Sequence, residues 1–161
     1  MLQNRIFFLE KARNVEDTYW MTKLLCACGE ICFIDAQIVM YRINRPGCLS
    51  YRYLRRLQNT ADIYRALDQE VCANNAKNSQ FIRSYFAGLF LHEIICSACL
   101  LAKEDRKDME RIIDDNRDII WHISSVSTSP KRMMLKYSLL LLGTPLSIYL
   151  IRMLKDPISV S

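Results

Sequence analysis

The sequence predicts a mainly α-helical protein, in which a short α/β lead-in with one small two-stranded β element precedes a bundle of about five helices. Three observations support this fold class. Only four Gly and four Pro occur in 161 residues, which favours long helices over many tight turns. Apolar residues make up 51% of the chain and charged residues 24%, the composition of a globular protein. From Leu54 onward, apolar residues recur every three or four positions.

The first predicted element is a helix over residues 14–28. Asn14 precedes the acids Glu16 and Asp17, as expected for an N-cap followed by a first turn that favours negative charge. Gly29 is well placed to end the helix, because glycine readily adopts the left-handed conformation of the C′ position. One face of this predicted helix is apolar and consists of Trp20, Met21, Leu24, Leu25 and Cys28.

Two short apolar runs, residues 31–34 and 38–41, predict a pair of strands. β-Branched and aromatic residues, which are enriched in strands, occur in both runs. Residues 35–37 separate the runs, and the Pro46-Gly47 pair predicts the turn that ends this block.

The helical tail is predicted to begin at Ser50, which can cap a helix that runs to Val71. Asn74 and Asn75 interrupt the pattern. The next stretch, residues 81–101, is apolar on nearly all sides, so we expect it to form the central buried helix.

Three further helices complete the predicted bundle. Residues 109–120 have an amphipathic pattern. Pro130 stands where the first residue of a helix tolerates proline. Gly143 and Pro145 then divide the last apolar stretch into two helices.

Length, charge and cysteine content limit the classes of protein that fit. The formal net charge of +5 is spread along the chain, which suits an anionic ligand or membrane surface but is too diffuse to indicate nucleic acid. The number of cysteines, seven, is odd, and no secretory signal is recognised at the start of the chain, so a cytoplasmic protein is expected.

Cys96 and Cys99 have the spacing of a metal or redox pair, but their position in an apolar helix favours core packing. His92 and His122 lack partners at ligand spacing, and no metal site is predicted.

The order of features over residues 16–50 resembles that of a known family. An acid pair, an apolar helix, an Ile-Cys-Phe-Ile-Asp run, the Tyr41-Arg42 pair and a Pro-Gly turn follow one another. This order resembles the end of the catalytic domain in bacterial family 2 glycosyltransferases of the GT-A type. The resemblance implies two regions: residues 1–50, the end of a GT-A-like catalytic domain, and residues 51–161, a helical C-terminal region.

The resemblance also implies a function for the acid pair. These enzymes transfer a sugar from a nucleotide-sugar donor to a saccharide or lipid-linked acceptor, as in polysaccharide biosynthesis. A base removes the proton of the acceptor hydroxyl as its oxygen attacks. Carried over to this sequence, Asp17 is the expected base and Glu16 a neighbour that contacts the acceptor. Acids are also common in the first turn of any helix, so ordinary helix capping is the alternative.

Arg42, Asn44 and Arg45 are the substrate-binding residues that the resemblance implies. The leaving group is a nucleoside diphosphate, and guanidinium groups suit phosphate oxygens. Many relatives have a His near the metal-bound diphosphate at the position of Asn44, so this chain departs from the family pattern there. A solvated surface turn is the alternative for both arginines.

The donor-binding half of such an enzyme is not recognisable in this sequence. There is no Asp-x-Asp metal motif, and no Gly-rich nucleotide-binding unit precedes residue 14. We therefore expect the isolated chain to be inactive as an enzyme. No cofactor is expected in this chain, and Mg²⁺ or Mn²⁺ is implied only for the full-length enzyme.

A non-catalytic helical interaction or membrane-peripheral module is the alternative function. Its basis is the apolar stretch from Leu139 to Leu154, which follows the basic residues Lys131, Arg132 and Lys136. The stretch is too short and too interrupted to span a bilayer as one straight helix. It could lie on the inner face of the plasma membrane or form a homo-oligomer. We expect instead that these helices close the core of the bundle.

Overall fold

The computed structural model describes residues 16–28, 53–73, 76–100, 104–124 and 129–153, together with Cys32 and Ala102. These residues form seven α-helices and one π-helical segment. In chain order the elements are α1 (Glu16–Ala27), α2 (Tyr53–Leu67), the π-helical segment (Asp68–Cys72), α3 (Ala76–Leu100), α4 (Arg106–Asp115), α5 (Arg117–Trp121), α6 (Pro130–Leu141) and α7 (Thr144–Met153). The predicted helical character is confirmed for this part of the chain.

The predicted two-stranded β element is wrong. The described residues contain no β-strand, and Cys32, which belongs to the first predicted strand, lies in neither a helix nor a strand. An apolar run of about four residues is too short for its periodicity to identify a strand, which is why the prediction failed. The rest of both runs and the predicted domain boundary at residue 50 lie outside the described residues.

The 25-residue helix α3 is the centre of the bundle. It packs against α2, the π-helical segment, α4, α5 and α7. Phe86, Phe90, Leu91 and Ile94 along its length are almost completely buried. The predicted central helix therefore exists, and it begins at Ala76, five residues before the apolar run that predicted it.

Helix α2 lies against α3 through an apolar face whose residues recur every three or four positions. Its buried apolar residues are Leu57, Ala61, Ile63, Tyr64 and Leu67. A polar contact joins the same two helices, because Arg56 Nη2 donates to Glu93 Oε1 at 2.5 Å and the Glu93 side chain is only 7% exposed. The Glu93 carboxylate is buried while Arg56 is 28% exposed, so loss of Arg56 would leave an unpaired buried charge between α2 and α3.

The single helix predicted over residues 109–120 is divided into α4 and α5 at Asn116. The Asn116 side chain is buried, and its Nδ2 donates to the carbonyl oxygen of Ile112 at 2.9 Å. An asparagine side chain that bonds a nearby backbone carbonyl competes with the helical ladder. The break therefore has a local cause that apolar periodicity does not reveal.

Helices α5 and α6 cap each other with cationic side chains. Arg117 in α5 donates through Nη2 to the carbonyl oxygen of Leu139, in the last turn of α6, at 2.6 Å. Lys136 in α6 donates through Nζ to the carbonyl oxygens of Trp121 and Ile123, at the end of α5, at 3.1 and 2.8 Å. The last carbonyls of a helix have no intrahelical partners and carry the negative end of its dipole, so cations stabilise them.

Helix α6 begins at Pro130 and is separated from α7 at Gly143, as the sequence predicts, but Pro145 lies in the first turn of α7 rather than between the helices. Ser129 caps α6 by accepting from the backbone N–H of Arg132 at 3.5 Å, and Pro130 is the first helical residue. Gly143 separates α6 from α7 with a φ of 83°, a left-handed conformation that glycine adopts without strain. Among the described helices, none has the length and apolarity required to cross a membrane.

Helices α6 and α7 each have a buried and an exposed apolar face. Leu135, Leu139, Ile148 and Ile151 belong to the core, so these helices do close the bundle. Opposite them is an outer apolar face, defined here by seven residues that are 47–77% exposed: Met134, Tyr137, Leu141, Leu142, Leu146, Tyr149 and Met153.

Candidate functional site

Asp17 lies in the first turn of α1, and Glu16 is the first residue of that helix. The Asp17 side chain is exposed, and its Oδ1 accepts from the backbone N–H of Thr18 at 2.7 Å. The dipole of α1 favours negative charge at this end. The structure therefore places Asp17 where the sequence predicts, as a solvent-accessible carboxylate at a helix N-terminus.

A three-residue polar cluster anchors α1 to the bundle. Tyr19 Oη donates to Glu70 Oε2 at 2.8 Å, and Lys23 Nζ donates to the same oxygen at 2.6 Å. Lys23 Nζ also lies 5.3 Å from the centre of the Tyr19 ring, within range of a cation–π contact. Tyr19 is part of the apolar core. Two residues of α1, Tyr19 and Lys23, thus fix the helix that carries Asp17 to the π-helical segment.

The cluster shifts the pKa values of its members in the directions expected of an ion pair. Burial tends to raise the pKa of Glu70, but the hydrogen bonds from Lys23 and Tyr19 outweigh it, and the pKa of this carboxyl is lowered. Burial, together with the hydrogen bond to Glu70, raises the pKa of the Tyr19 phenol. Glu70 is therefore ionised at neutral pH and holds α1 through charge-assisted hydrogen bonds.

The pH dependence of the stability of Glu70→Gln tests whether Glu70 anchors α1 through its charge. Because the folded pKa of Glu70 lies below its ordinary value, its contribution to stability is present at neutral pH and is lost as the pH falls through that lowered pKa. The Glu70 side chain is 44% exposed, so the variant is expected to lose only about 0.5–1 kcal/mol of unfolding free energy at neutral pH. Urea unfolding at about pH 7 and about pH 3 measures the difference, which should be smaller at the lower pH.

Glu104→Gln is the matched control for that experiment, because Glu104 is exposed on the connector before α4. It should unfold like the natural chain at both pH values. An equal loss for Glu70→Gln at both pH values would show that the contact acts through packing rather than charge.

The predicted substrate-binding residues Arg42, Asn44 and Arg45 lie outside the described residues, as does the side chain of Glu16. Sequence analysis missed Tyr19, Lys23 and Glu70 as supports of the site. Tyr19 and Glu70 are 51 positions apart, and no local pattern links residues so far apart.

The described residues do not form a site for the metal ion that the resemblance implies. No three His, Cys, Asp or Glu side chains within them are grouped so as to hold an ion. Cys96 Sγ lies 3.5 Å from His92 Nε2, and burial raises the pKa of the Cys96 thiol. These two side chains are fewer than the three or four protein ligands that a metal centre usually has.

No family model, curated protein or solved structure matches this chain.

Proposed function

We propose that this chain is the C-terminal segment of a glycosyltransferase that transfers a sugar from a nucleotide-sugar to a saccharide or lipid-linked acceptor. The observation that carries the proposal is the position of Asp17. It is an exposed carboxylate in the first turn of a helix that Tyr19 and Lys23 fix to the bundle through Glu70. The order of motifs over residues 16–50, from the acid pair to the Pro-Gly turn, is the further support.

In the proposed reaction Asp17 is the base. Its carboxylate accepts the proton of the acceptor hydroxyl while the hydroxyl oxygen bonds to the anomeric carbon and the nucleoside diphosphate leaves. The Asp17 side chain is exposed in the first turn of α1, so an acceptor hydroxyl can reach it from solvent. Glu16 is the proposed acceptor contact, and Arg42, Asn44 and Arg45 are proposed to bind the leaving diphosphate. The donor-binding half lies outside these 161 residues in this proposal.

The experiment that tests the proposal starts from the coding sequence upstream of Met1. We expect an in-frame α/β unit with an Asp-x-Asp motif, and a joined protein that transfers sugar from one member of a nucleotide-sugar panel. An unrelated upstream gene, with a ribosome-binding site directly before Met1, would contradict the proposal. The isolated chain should give no saturable heat with the same panel and Mn²⁺ in calorimetry. Micromolar binding would place the donor site within this chain instead.

The outer apolar face favours a second candidate, a module that binds an anionic membrane surface. Leu141 is 77% exposed and Met153 66% exposed, whereas side chains of this type are usually buried. Lys131 and Arg132 are exposed in the first turn of α6, within three positions of Met134. An apolar helical face with adjacent basic residues suits an interface with anionic lipid.

Vesicle flotation distinguishes this second candidate. If it is correct, the chain floats with anionic vesicles, and binding weakens with salt because the Debye length is about 10 Å at 0.1 M. Leu141→Glu should reduce the bound fraction several-fold, because it places a charge in the middle of the outer apolar face. Leu100→Glu is the control, since Leu100 is 55% exposed on α3 and lies outside that face. Concentration-dependent dimers without flotation would assign the face to a second copy of the chain.

A further inference from the structure

A pocket of about 390 Å³ opens between the N-terminal half of α3, the end of α5 and the start of α6. Its lining includes Arg83 and Ser84 from α3, Trp121 and His122 from the end of α5, and Lys136 and Tyr137 from α6. The volume falls within the range of sites for small organic ligands, about 300–1,000 Å³. The residues that line it do not include Asp17, Tyr19, Lys23 or Glu70.

The charged side chains that line this pocket are cationic. Arg83 and Lys136 are cationic, and no Asp or Glu occurs among the described residues that line the pocket. Asp68 pairs with Arg83 from outside it, accepting from Nε at 2.5 Å. A guanidinium has five N–H donors, so this contact leaves Arg83 able to donate elsewhere.

Lys136 is the unusual member of the lining. The residue is only 7% exposed, and within the described ranges the hydrogen-bond acceptors of its ammonium are the two backbone carbonyls of Trp121 and Ile123. An ammonium has three donors, so these two bonds leave one N–H. No carboxylate balances the charge in the described part, although an unbalanced buried charge is costly.

Burial lowers the pKa of Lys136. This direction shows that the present surroundings penalise the charged form. An anion within hydrogen-bond distance would offset the penalty, because an opposite charge favours the ionised ammonium. The site is therefore incomplete in a way that a negatively charged ligand would complete.

Aromatic rings supply the rest of the pocket surface. Trp121 is 64% exposed and Tyr137 52% exposed, so each offers an apolar face to solvent at the edge of the cavity. Exposed aromatic rings beside cations suit a ligand with an anionic group and a small organic body. A phosphate group fits the cations, since it accepts several charge-assisted hydrogen bonds at once.

We propose that this pocket binds a small organic phosphate, with Lys136 and Arg83 donating to the phosphate oxygens and Trp121 and Tyr137 contacting the organic part. The inference does not depend on the glycosyltransferase proposal, because it needs neither Asp17 nor a donor-binding half. The phosphate can belong to a free metabolite or to a phospholipid headgroup, and the experiment separates these two sources.

The test uses the full chain in calorimetric titrations with glycerol 3-phosphate, with inorganic phosphate and with glycerol as the uncharged control. Saturable binding of glycerol 3-phosphate is expected, with weaker binding of inorganic phosphate and no binding of glycerol. Arg83→Gln and Lys136→Met should each weaken binding by about tenfold or more, the loss expected for one charge-assisted hydrogen bond. Lys107→Gln, which removes an exposed charge on α4, should leave binding unchanged.

Vesicles of phosphatidic acid and of phosphatidylcholine form the second arm. One result would assign the pocket to a lipid headgroup. In that case the chain binds phosphatidic acid but neither phosphatidylcholine nor glycerol 3-phosphate, and Arg83→Gln abolishes the binding. Lys136→Met also removes the cap of α5, so Arg83→Gln decides the outcome if the Lys136 variant does not fold. The proposal is overturned if neither phosphate source binds, or if the Arg83 variant binds as well as the natural chain.

Discussion

Asp17→Asn is expected to lower the turnover of the joined, donor-containing enzyme by about 10²–10⁴, the usual contribution of a general base. Asparagine keeps the shape of the side chain and can still accept from the backbone N–H of Thr18, as Asp17 does at 2.7 Å. It cannot accept the proton of the acceptor hydroxyl. The affinity for the nucleotide-sugar should hardly change, because the proposed donor site lies elsewhere. Initial-rate kinetics with both substrates varied measure the two effects separately.

Two controls accompany this variant. Asp62→Asn replaces another exposed acid, on α2, and should leave turnover unchanged. Glu16→Gln should cause a milder loss, because Glu16 is proposed to contact the acceptor rather than to remove its proton. Near-normal turnover of Asp17→Asn would mean that Asp17 serves only as an acid in the first turn of α1.

Phe90→Ala is expected to destabilise the chain by about 3–5 kcal/mol, the typical cost of truncating a buried Phe. Phe90 is completely buried in the middle of α3, the helix that most of the others contact. Removing its ring leaves a cavity in a core that relaxes only partly. Since small domains are stable by only about 5–15 kcal/mol, such a loss should abolish cooperative folding or shift the urea midpoint strongly.

Phe81→Ala is the matched control, because it makes the same chemical change on the same helix. Phe81 is 72% exposed, so its truncation should change the unfolding free energy by no more than about 0.5 kcal/mol. Equal losses in the two variants would contradict the placement of α3 at the centre of the bundle.

Residues with strong conformational preferences made most of the helical fold predictable. Pro130 and Gly143 mark a helix start and a helix break in the sequence, and the structure has both at these positions. The apolar run from residue 81 predicts the central helix because a helix that is apolar on most sides must be buried. In these cases a local preference and the tertiary environment agree.

Prediction failed where the local signal was short or ambiguous. The β element rested on two runs of four residues, too short for periodicity to distinguish a strand from other structures. The division of α4 from α5 depends on the side chain of Asn116, and asparagine occurs both in helices and at their ends. In neither case was the segment long enough for a periodic pattern to identify the secondary structure.

The candidate site was predictable only in part, for a similar reason. The position of Asp17 follows from the start of α1, which local sequence determines. The support that Glu70 gives to Tyr19 and Lys23 depends on the packing of α1 against the π-helical segment, which no single window of sequence contains. The pocket around Lys136 likewise joins residues of three helices.

The mutual capping of α5 and α6 has a consequence for how the bundle opens. With five residues, α5 is too short to persist by itself, because the first turn of a helix is costly to form. If α5 unwinds, Leu139 loses its Arg117 partner and Lys136 loses both of its acceptors. The amide protons of α5 and α6 should therefore exchange with solvent together, as one cooperative unit, and a ligand held at Lys136 would slow exchange in both helices at once.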